Sequence, residues 1–156
     1  MEAKRIMVVY FTRTGTTRKV AEELARILDA DCEELIDRRS YKGIFGFING
    51  GRLSATKKMT KLMPIRHEPI NYDLIVICSP IWAGNITPAA LTYITTHKPN
   101  SVAWVITTAG DNSRVSNFAT EADALKGYLH LSNKEINSQD LTHKLEAFAA
   151  KLKDAI

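Results

Sequence analysis

Three short segments of the chain carry residues whose types and spacing could hold a ligand. The first, Thr12-Arg13-Thr14-Gly15-Thr16-Thr17, follows an apolar run and leads into a helical pattern. Its hydroxyls, its glycine and the free amides of a helix start form a cradle for an anion, because amides and helix dipole both favour negative charge there. It lacks the Gly-Lys-Ser/Thr ending of a nucleotide-triphosphate loop and the Gly-x-Gly-x-x-Gly turn of a dinucleotide site. Hydroxyls with little fixed positive charge suit a single terminal phosphate, although the same residues equally fit a threonine-rich helix cap.

The second segment, Ser79-Pro80-Ile81-Trp82-Ala83-Gly84-Asn85, places a tryptophan at a strand end next to a flexible glycine. Such an indole can lie against a flat aromatic ligand, or it can simply cover the end of the sheet. The third, Thr108-Ala109-Gly110-Asp111-Asn112-Ser113, has small residues that let main-chain amides approach a ligand edge; an ordinary turn is the plainer reading. Elsewhere the chemistry is sparse. His67, His97, His130 and His143 are scattered without metal-ligand spacing, and each reads as a surface or structurally satisfied histidine. Cys32 and Cys78 both fall inside apparent strands and read as buried reduced thiols. Asp111 reads as a turn residue in preference to a catalytic acid. No nucleophile, general base or metal ligand is assigned.

The elements that must position these segments alternate in type. Arg5 to Phe11 is a continuous apolar run of strand length, as in a strand buried on both faces. Val20, Leu24 and Leu28 recur every four positions over a helix from Thr17 to Asp29. Short strands are expected at Cys32 to Ile36, Leu74 to Cys78 and Val102 to Thr107. A helix capped by Thr87 opens at Pro88 between the last two. Ser116 to Lys126 reads as helix, about Tyr128 to Ser132 as a weak fifth strand, and Leu141, Leu145, Phe148 and Leu152 mark a terminal amphipathic helix. Between Tyr41 and Met63 a helical stripe of Ile44, Ile48, Gly51, Ala55 and Met59 is weakened by Gly50-Gly51. Strands alternating with helices imply an α/β fold with a parallel sheet, and ligands then sit outside the carboxyl ends of the strands. All three segments follow such ends. No repeat or linker interrupts residues 1–156, so one domain is expected.

Composition narrows the classes further. With 45% hydrophobic and 24% charged residues the chain is an ordinary globular sequence. No apolar run approaches the ~18 residues of a membrane span, and no signal peptide is visible, so a cytoplasmic protein is expected. The net charge of +4 is unevenly placed. Arg38, Arg39, Lys42, Arg52, Lys57, Lys58, Lys61 and Arg66 lie in one segment, 38–66, that contains no acidic residue. Such a patch can steer an acidic partner or be a solvated face; without interleaved aromatics or a motif, nucleic acid ranks low.

These residues are where the chain resembles the flavodoxin family. Thr12 to Thr17 looks like that family's Thr-x-Thr-Gly-x-Thr phosphate loop after a Val-Val-Tyr-Phe strand. Ser-Pro-Ile-Trp-Ala-Gly-Asn resembles its first isoalloxazine loop and Gly110-Asp111 its second, and the likeness spans the whole chain in order. The resemblance implies a three-layer, doubly wound, five-stranded parallel sheet of order 2-1-3-4-5 binding FMN. By the match, Thr12, Arg13, Thr14, Gly15, Thr16 and Thr17 would hold the phosphate, and Trp82 would stack on the flavin. Pro80, Ile81, Ala83, Gly84 and Asn85, with Thr108, Ala109, Gly110 and Asp111, would border the ring. Two features depart from the family. Arg114 and Val115 stand where a covering tyrosine is common, with no aromatic before Phe118, and the pI is ≈ 9.1 where flavodoxins are usually acidic.

The resemblance therefore implies electron transfer through bound flavin, with redox partner proteins or a small electron acceptor. The alternative is an FMN-dependent NAD(P)H:acceptor oxidoreductase of quinone type, with a flavin face open near Arg114. A flavin-less binding module or a phospho-receiver domain is the remaining reading. A receiver would need acidic residues after the first strand and an aspartate ending the third, where this chain has Thr12 to Thr17 and Cys78-Ser79. Oligomeric state is left open.

Overall fold

The computed structural model describes residues 3–110, 120 and 122–156. Asp111, Asn112, Ser113, Arg114 and Val115, and of the helix expected at 116–126 its first four residues (Phe118 among them) and Glu121, lie outside the described residues.

Five strands run parallel: β1 (Ile6–Tyr10), β2 (Asp31–Glu34), β3 (Leu74–Trp82), β5 (Val102–Thr108) and β6 (Leu125–Ser132). They lie in the order β2-β1-β3-β5-β6, and a two-residue β4 (Asn85–Ile86) pairs antiparallel with the end of β3. Counting only the parallel strands, this is the order 2-1-3-4-5. Parallel neighbours cannot be joined by a hairpin, so helices return the chain across the faces. α1 (Thr16–Leu28), α2 (Gly43–Ala55) and α3 (Pro88–His97) lie in such crossovers, while α4 (Asn133–Ile136) and α5 (Leu141–Asp154) follow β6.

Alternation along the strands divides the core into two layers. Ile6, Val8 and Tyr10 of β1, with Leu74, Val76 and Cys78 of β3, pack beneath Val20 and Leu24 of α1 and Leu145 and Phe148 of α5. The intervening Met7, Val9, Ile75 and Ile77 pack on the other face beneath α3 (Ala90, Tyr93) and Leu53 of α2. Burial on both faces is why β1, β3 and β5 are apolar without a polar alternation. Edge strand β2 is less apolar. Its buried Glu33 accepts N–H bonds from Arg66 (2.6 Å) and His67 (3.1 Å) and meets the His67 ring at 2.9 Å.

Three expectations need correction. The strand expected to end at Cys78 continues to Trp82, so most of the segment expected as a loop is strand and hairpin. Residues Leu125 and Lys126, expected in a helix, open β6; Leu125 pairs with Val102, and a bulge beside it absorbs Lys126. A short 3₁₀ turn at Ala122–Ala124 precedes them. Finally, α2 runs unbroken through Gly50-Gly51, yet the stripe that suggested it does not face the core. Ile44 and Ile48 are exposed, while Gly50, Leu53 and Ser54 are buried. Among the described residues no helix is long and apolar enough to cross a membrane.

At the end of β6 a capping box fixes α4. Ser132 Oγ accepts the Glu135 N–H, while the Glu135 carboxylate accepts from the Ser132 N–H (2.8 Å) and pairs with Lys144 on α5. The Lys144 ammonium, then the Ser132 amide, hold the Glu135 carboxyl down at about 2. A depressed folded pKa stabilises the fold above the ordinary value, and that stability is lost as pH falls toward 2. Glu135→Gln should therefore lower unfolding stability by ~1 kcal/mol at pH 7, the size of a typical cap. Urea unfolding at a series of pH values should show the difference shrinking below about pH 4.5.

Candidate functional site

The carboxyl ends of β1, β3 and β5 open onto one cleft of ≈ 400 Å³. One end is built by the β1–α1 connection. Thr12, Arg13, Thr14, Thr16 and Thr17 line it, and the turn is closed by the Gly15 N–H donating to Thr12 Oγ1 at 3.0 Å. Gly15 caps α1 at φ 96°, a left-handed backbone that favours glycine. No side chain caps the helix, and its first internal bond is Lys19 N–H to Gly15 C=O. The amides of Thr16, Thr17 and Arg18 therefore precede the intrahelical ladder at the positive end of the α1 dipole. Of the hydroxyls, Thr17 is buried and bonded to Thr107 Oγ1 at 2.8 Å, which ties α1 to β5. Thr14 and Thr16 stand 3.5 Å apart at Oγ1, at the weak limit of a hydrogen bond. The threonine-rich cap is thus a turn built on Thr12, with the Thr14 and Thr16 hydroxyls held only by their weak mutual contact.

Arg13 lines the cleft, but its guanidinium is largely engaged by protein. Nε donates to the Tyr41 carbonyl at 2.9 Å, and Cζ lies 5.2 Å from the Phe47 ring centroid. It fastens the β1–α1 loop to the segment entering α2.

The second wall is the hairpin at the end of β3. Pro80, Ile81, Trp82 and Ala83 line the cleft, with Trp82 paired to Asn85 across the turn. Ala83 (φ 49°) and Gly84 (φ 76°) are both left-handed, as a two-residue hairpin of the right twist demands. Behind the turn, Ser79 and Thr87 form a buried network. Ser79 Oγ–H donates to the Pro80 carbonyl (2.9 Å), so its oxygen accepts both the Thr87 hydroxyl (3.1 Å) and the Thr87 N–H (3.2 Å). Thr87 Oγ1 in turn accepts the Ala90 N–H as the cap of α3.

Trp82 is held edge-on by Phe11 (5.5 Å, 87°) and Tyr41 (5.1 Å, 65°). Burial, then the Asp37 carboxylate that accepts its O–H at 2.6 Å, push the Tyr41 hydroxyl well up, so it stays a donor. On its far side the indole meets α2, where a Cβ on Gly50 would fall 2.6 Å from Trp82 Cζ3. This explains the glycine pair: Gly50 admits the indole, and its neighbour Gly51 lines the cleft.

The third wall is Thr107, Thr108 and Ala109. The single Thr108 hydroxyl proton goes to the Gly110 carbonyl (2.6 Å), so the 2.7 Å contact with His130 Nε2 is an N–H donated by the ring. Gly15, Gly84, Asn85 and Gly110 support these walls without lining the cleft themselves, and Asp111 lies outside the described residues. The lining residues missed in the sequence are Phe47, Gly51, Thr107 and Asn133. Phe47 and Gly51 are four apart on α2, a spacing that marks one face, and Asn133 is the first helical residue of a Ser-x-x-Glu capping box that was there to be read. Among the described residues lining the cleft, none is acidic. Cys78 is buried, and burial pushes the Cys32 thiol up to about 11, so neither offers a reactive thiolate.

The chain matches no family model and no curated protein. Solved structures do match it. An FMN complex of a flavoprotein from Lactobacillus acidophilus is 24% identical, covering 86% of this chain and 97% of its own, at TM-score 0.64. Oxidised flavodoxin 2 from Bacillus cereus is 15% identical over 97% and 99% of the two chains, at TM-score 0.56. The fold is flavodoxin-like. A protein from Bacteroides eggerthii, provisionally described as a flavoprotein, shares this flavodoxin-like fold at 21% identity and TM-score 0.70, covering 94% of this chain and 99% of its own. At these identities the likeness is one of fold.

The contact between Gly50 and Trp82 yields a paired test. Gly50→Ala should gain helix propensity yet displace the indole, for a net loss of ~1–3 kcal/mol and altered tryptophan emission. Gly51→Ala meets nothing within 4 Å and should instead stabilise by ~0.5–1 kcal/mol. Thermal unfolding with fluorescence checks both.

Proposed function

We propose that this chain, as one domain over 1–156, binds FMN in the cleft and serves as a redox protein that passes electrons through it. The observation that carries this reading is the pairing, in one cleft, of unladdered α1 amides with the weakly engaged Thr14 and Thr16 hydroxyls at one end and an indole wall at the other. The first suits a phosphate and the second a flat aromatic ring. The Lactobacillus neighbour holds FMN within the same fold, which supports the assignment.

In this reading the amides of Thr16, Thr17 and Arg18 and the hydroxyls of Thr14 and Thr16 hold the phosphate. Thr12 shapes the turn. Trp82 lies against the ring, and main-chain groups of Ala83, Gly84, Gly110 and Asp111 meet its polar edge. Bound FMN would supply one- and two-electron transfer that no side chain can perform. The protein's share is binding, orientation and field. Arg13 and the α1 dipole stand at the phosphate end of the cleft, where they favour negative charge. Redox partner proteins or a small acceptor follow as partners.

A charge-assisted hydrogen bond to phosphate contributes ~1.5–3 kcal/mol, so Thr14→Ala with Thr16→Ala should weaken FMN at least tenfold. Riboflavin, lacking the phosphate, should bind the variant as it binds the parent. Trp82→Ala should weaken both ligands roughly tenfold and brighten bound-flavin emission, since stacking contributes ~1–2 kcal/mol and quenches. Fluorescence titrations measure all of these. Equal loss of FMN and riboflavin in the threonine variant would place the phosphate elsewhere, and no saturable FMN binding would remove the assignment.

A further inference from the structure

The connection between β2 and β3 carries two properties that rarely coincide on a free surface. Most of the large exposed apolar side chains among the described residues lie in it: Ile36, Ile44, Phe45, Phe47, Ile48, Met59, Met63 and Ile70, outside which only Leu125 and Tyr128 remain. Phe45 is 85% exposed and Ile44 69%. The same stretch holds the eight basic residues and no acid between 38 and 66. Asp37, just before it, is bound internally by the Tyr41 hydroxyl, the Thr60 hydroxyl and the Arg39 N–H. Within 38–66 itself no carboxylate offsets the positive charge; of the neighbouring acids, Glu33 meets Arg66 at 3.9 Å.

The apolar part is compact and has a fixed place. Ile44, Phe45 and Ile48 occupy the first two turns of α2, whereas the later turns bury Leu53 and Ser54 against the body of the protein. Phe47, on the adjoining face, lines the cleft under Arg13. The patch thus borders the cleft mouth, and Lys42 and Arg52 stand at its two ends along the helix. Phe, Met, Ile and Arg without Asp or Glu is the composition of an interface core, and isolated monomers seldom leave such a patch bare.

We infer that the N-terminal half of α2 is a docking surface for a protein whose matching face is apolar at its centre and acidic at its rim, seated beside the cleft mouth. Charge decides the occupant. A second copy of this chain would set the same basic residues against each other across an isologous contact. A lipid surface would be met by a long apolar stripe with basic residues alternating along one helix, and α2 offers two apolar turns and one basic side chain, Arg52. That the partner exchanges electrons rests on the flavin reading above; that it is acidic and docks on α2 does not.

Calorimetric titration of the full chain, with and without FMN, can test this. Its probes are an acidic [2Fe–2S] ferredoxin, a basic c-type cytochrome and phosphatidylglycerol vesicles. The acidic protein should bind at least tenfold more tightly than the basic one in ~20 mM salt, with the preference lost near ~0.5 M as screening shortens. Phe45→Ser with Ile48→Ser, and separately Lys42→Glu with Arg52→Glu, should each weaken it at least tenfold while thermal unfolding stays unchanged, since all four side chains are exposed. Equal binding of the two proteins, or wild-type affinity in both double variants, would overturn the inference. So would vesicle binding tighter than ferredoxin binding and abolished by the apolar variant, which would assign the face to a lipid surface. Docking without FMN binding would leave this surface standing and remove the flavin assignment; FMN binding without docking would do the reverse.

Discussion

Parallel pairing of β1, β3 and β5 is the constraint from which the rest of the molecule follows. Parallel neighbours need crossovers, α1, α2 and α3 lie in those after β1, β2 and β3, and with α5 they cover both faces of the sheet. Every residue from Leu74 to Ser79 is buried as a result. A sheet sealed on both faces can receive a ligand only at its ends, and the carboxyl ends are where the connections to α1, β4 and the segment after β5 diverge. The cleft is where it is because backbone hydrogen bonding leaves it nowhere else to be.

Within that constraint, the cleft is shaped by close packing more than by polar contacts. The indole of Trp82 is wedged between Phe11, Tyr41 and the backbone of α2 at Gly50, and that contact sets the separation of α2 from the hairpin. Arg13 then links the opposite loop to the segment entering the same helix through the Tyr41 carbonyl. One helix with two glycines in its middle therefore organises two walls. The same helix leaves its first two turns bare, so the element that shapes the cleft also supplies the apolar surface beside it.

The parts of this arrangement that were legible in the sequence are those governed by local periodicity and composition. The doubly buried strands announce themselves as unbroken apolar runs, and Thr87-Pro88 marks a helix start that the structure places at Pro88. The Thr12–Thr17 turn, Trp82 and Thr108 reach one cleft because each lies at or just beyond the carboxyl end of a strand. What was not legible depends on contacts distant in sequence. Nothing within 41–63 reveals that Gly50 faces an indole thirty-two positions further on, so the glycine pair reads as a helix breaker. Likewise, β3 runs on to Trp82 because Ile81 finds a partner in Ile86 after a turn that puts Ala83 in an unfavourable left-handed backbone. Local preference argues against that conformation, and pairing overrides it. The Leu125–Lys126 correction has the same origin, since pairing with Val102 outweighs a helical pattern in the side chains.

The hairpin behind Trp82 has a thermodynamic consequence. Two cross-strand pairs and the Ser79–Thr87 network hold its backbone before any ligand arrives, and Thr87 roots it in the first turn of α3. A wall fixed in this way has little conformational freedom left to surrender, at a cost that would otherwise be ~1–2 kcal/mol for each backbone residue ordered. Association on this side is then that of a ligand with a rigid slot, in which the entropy of ordering was met once, when the chain folded.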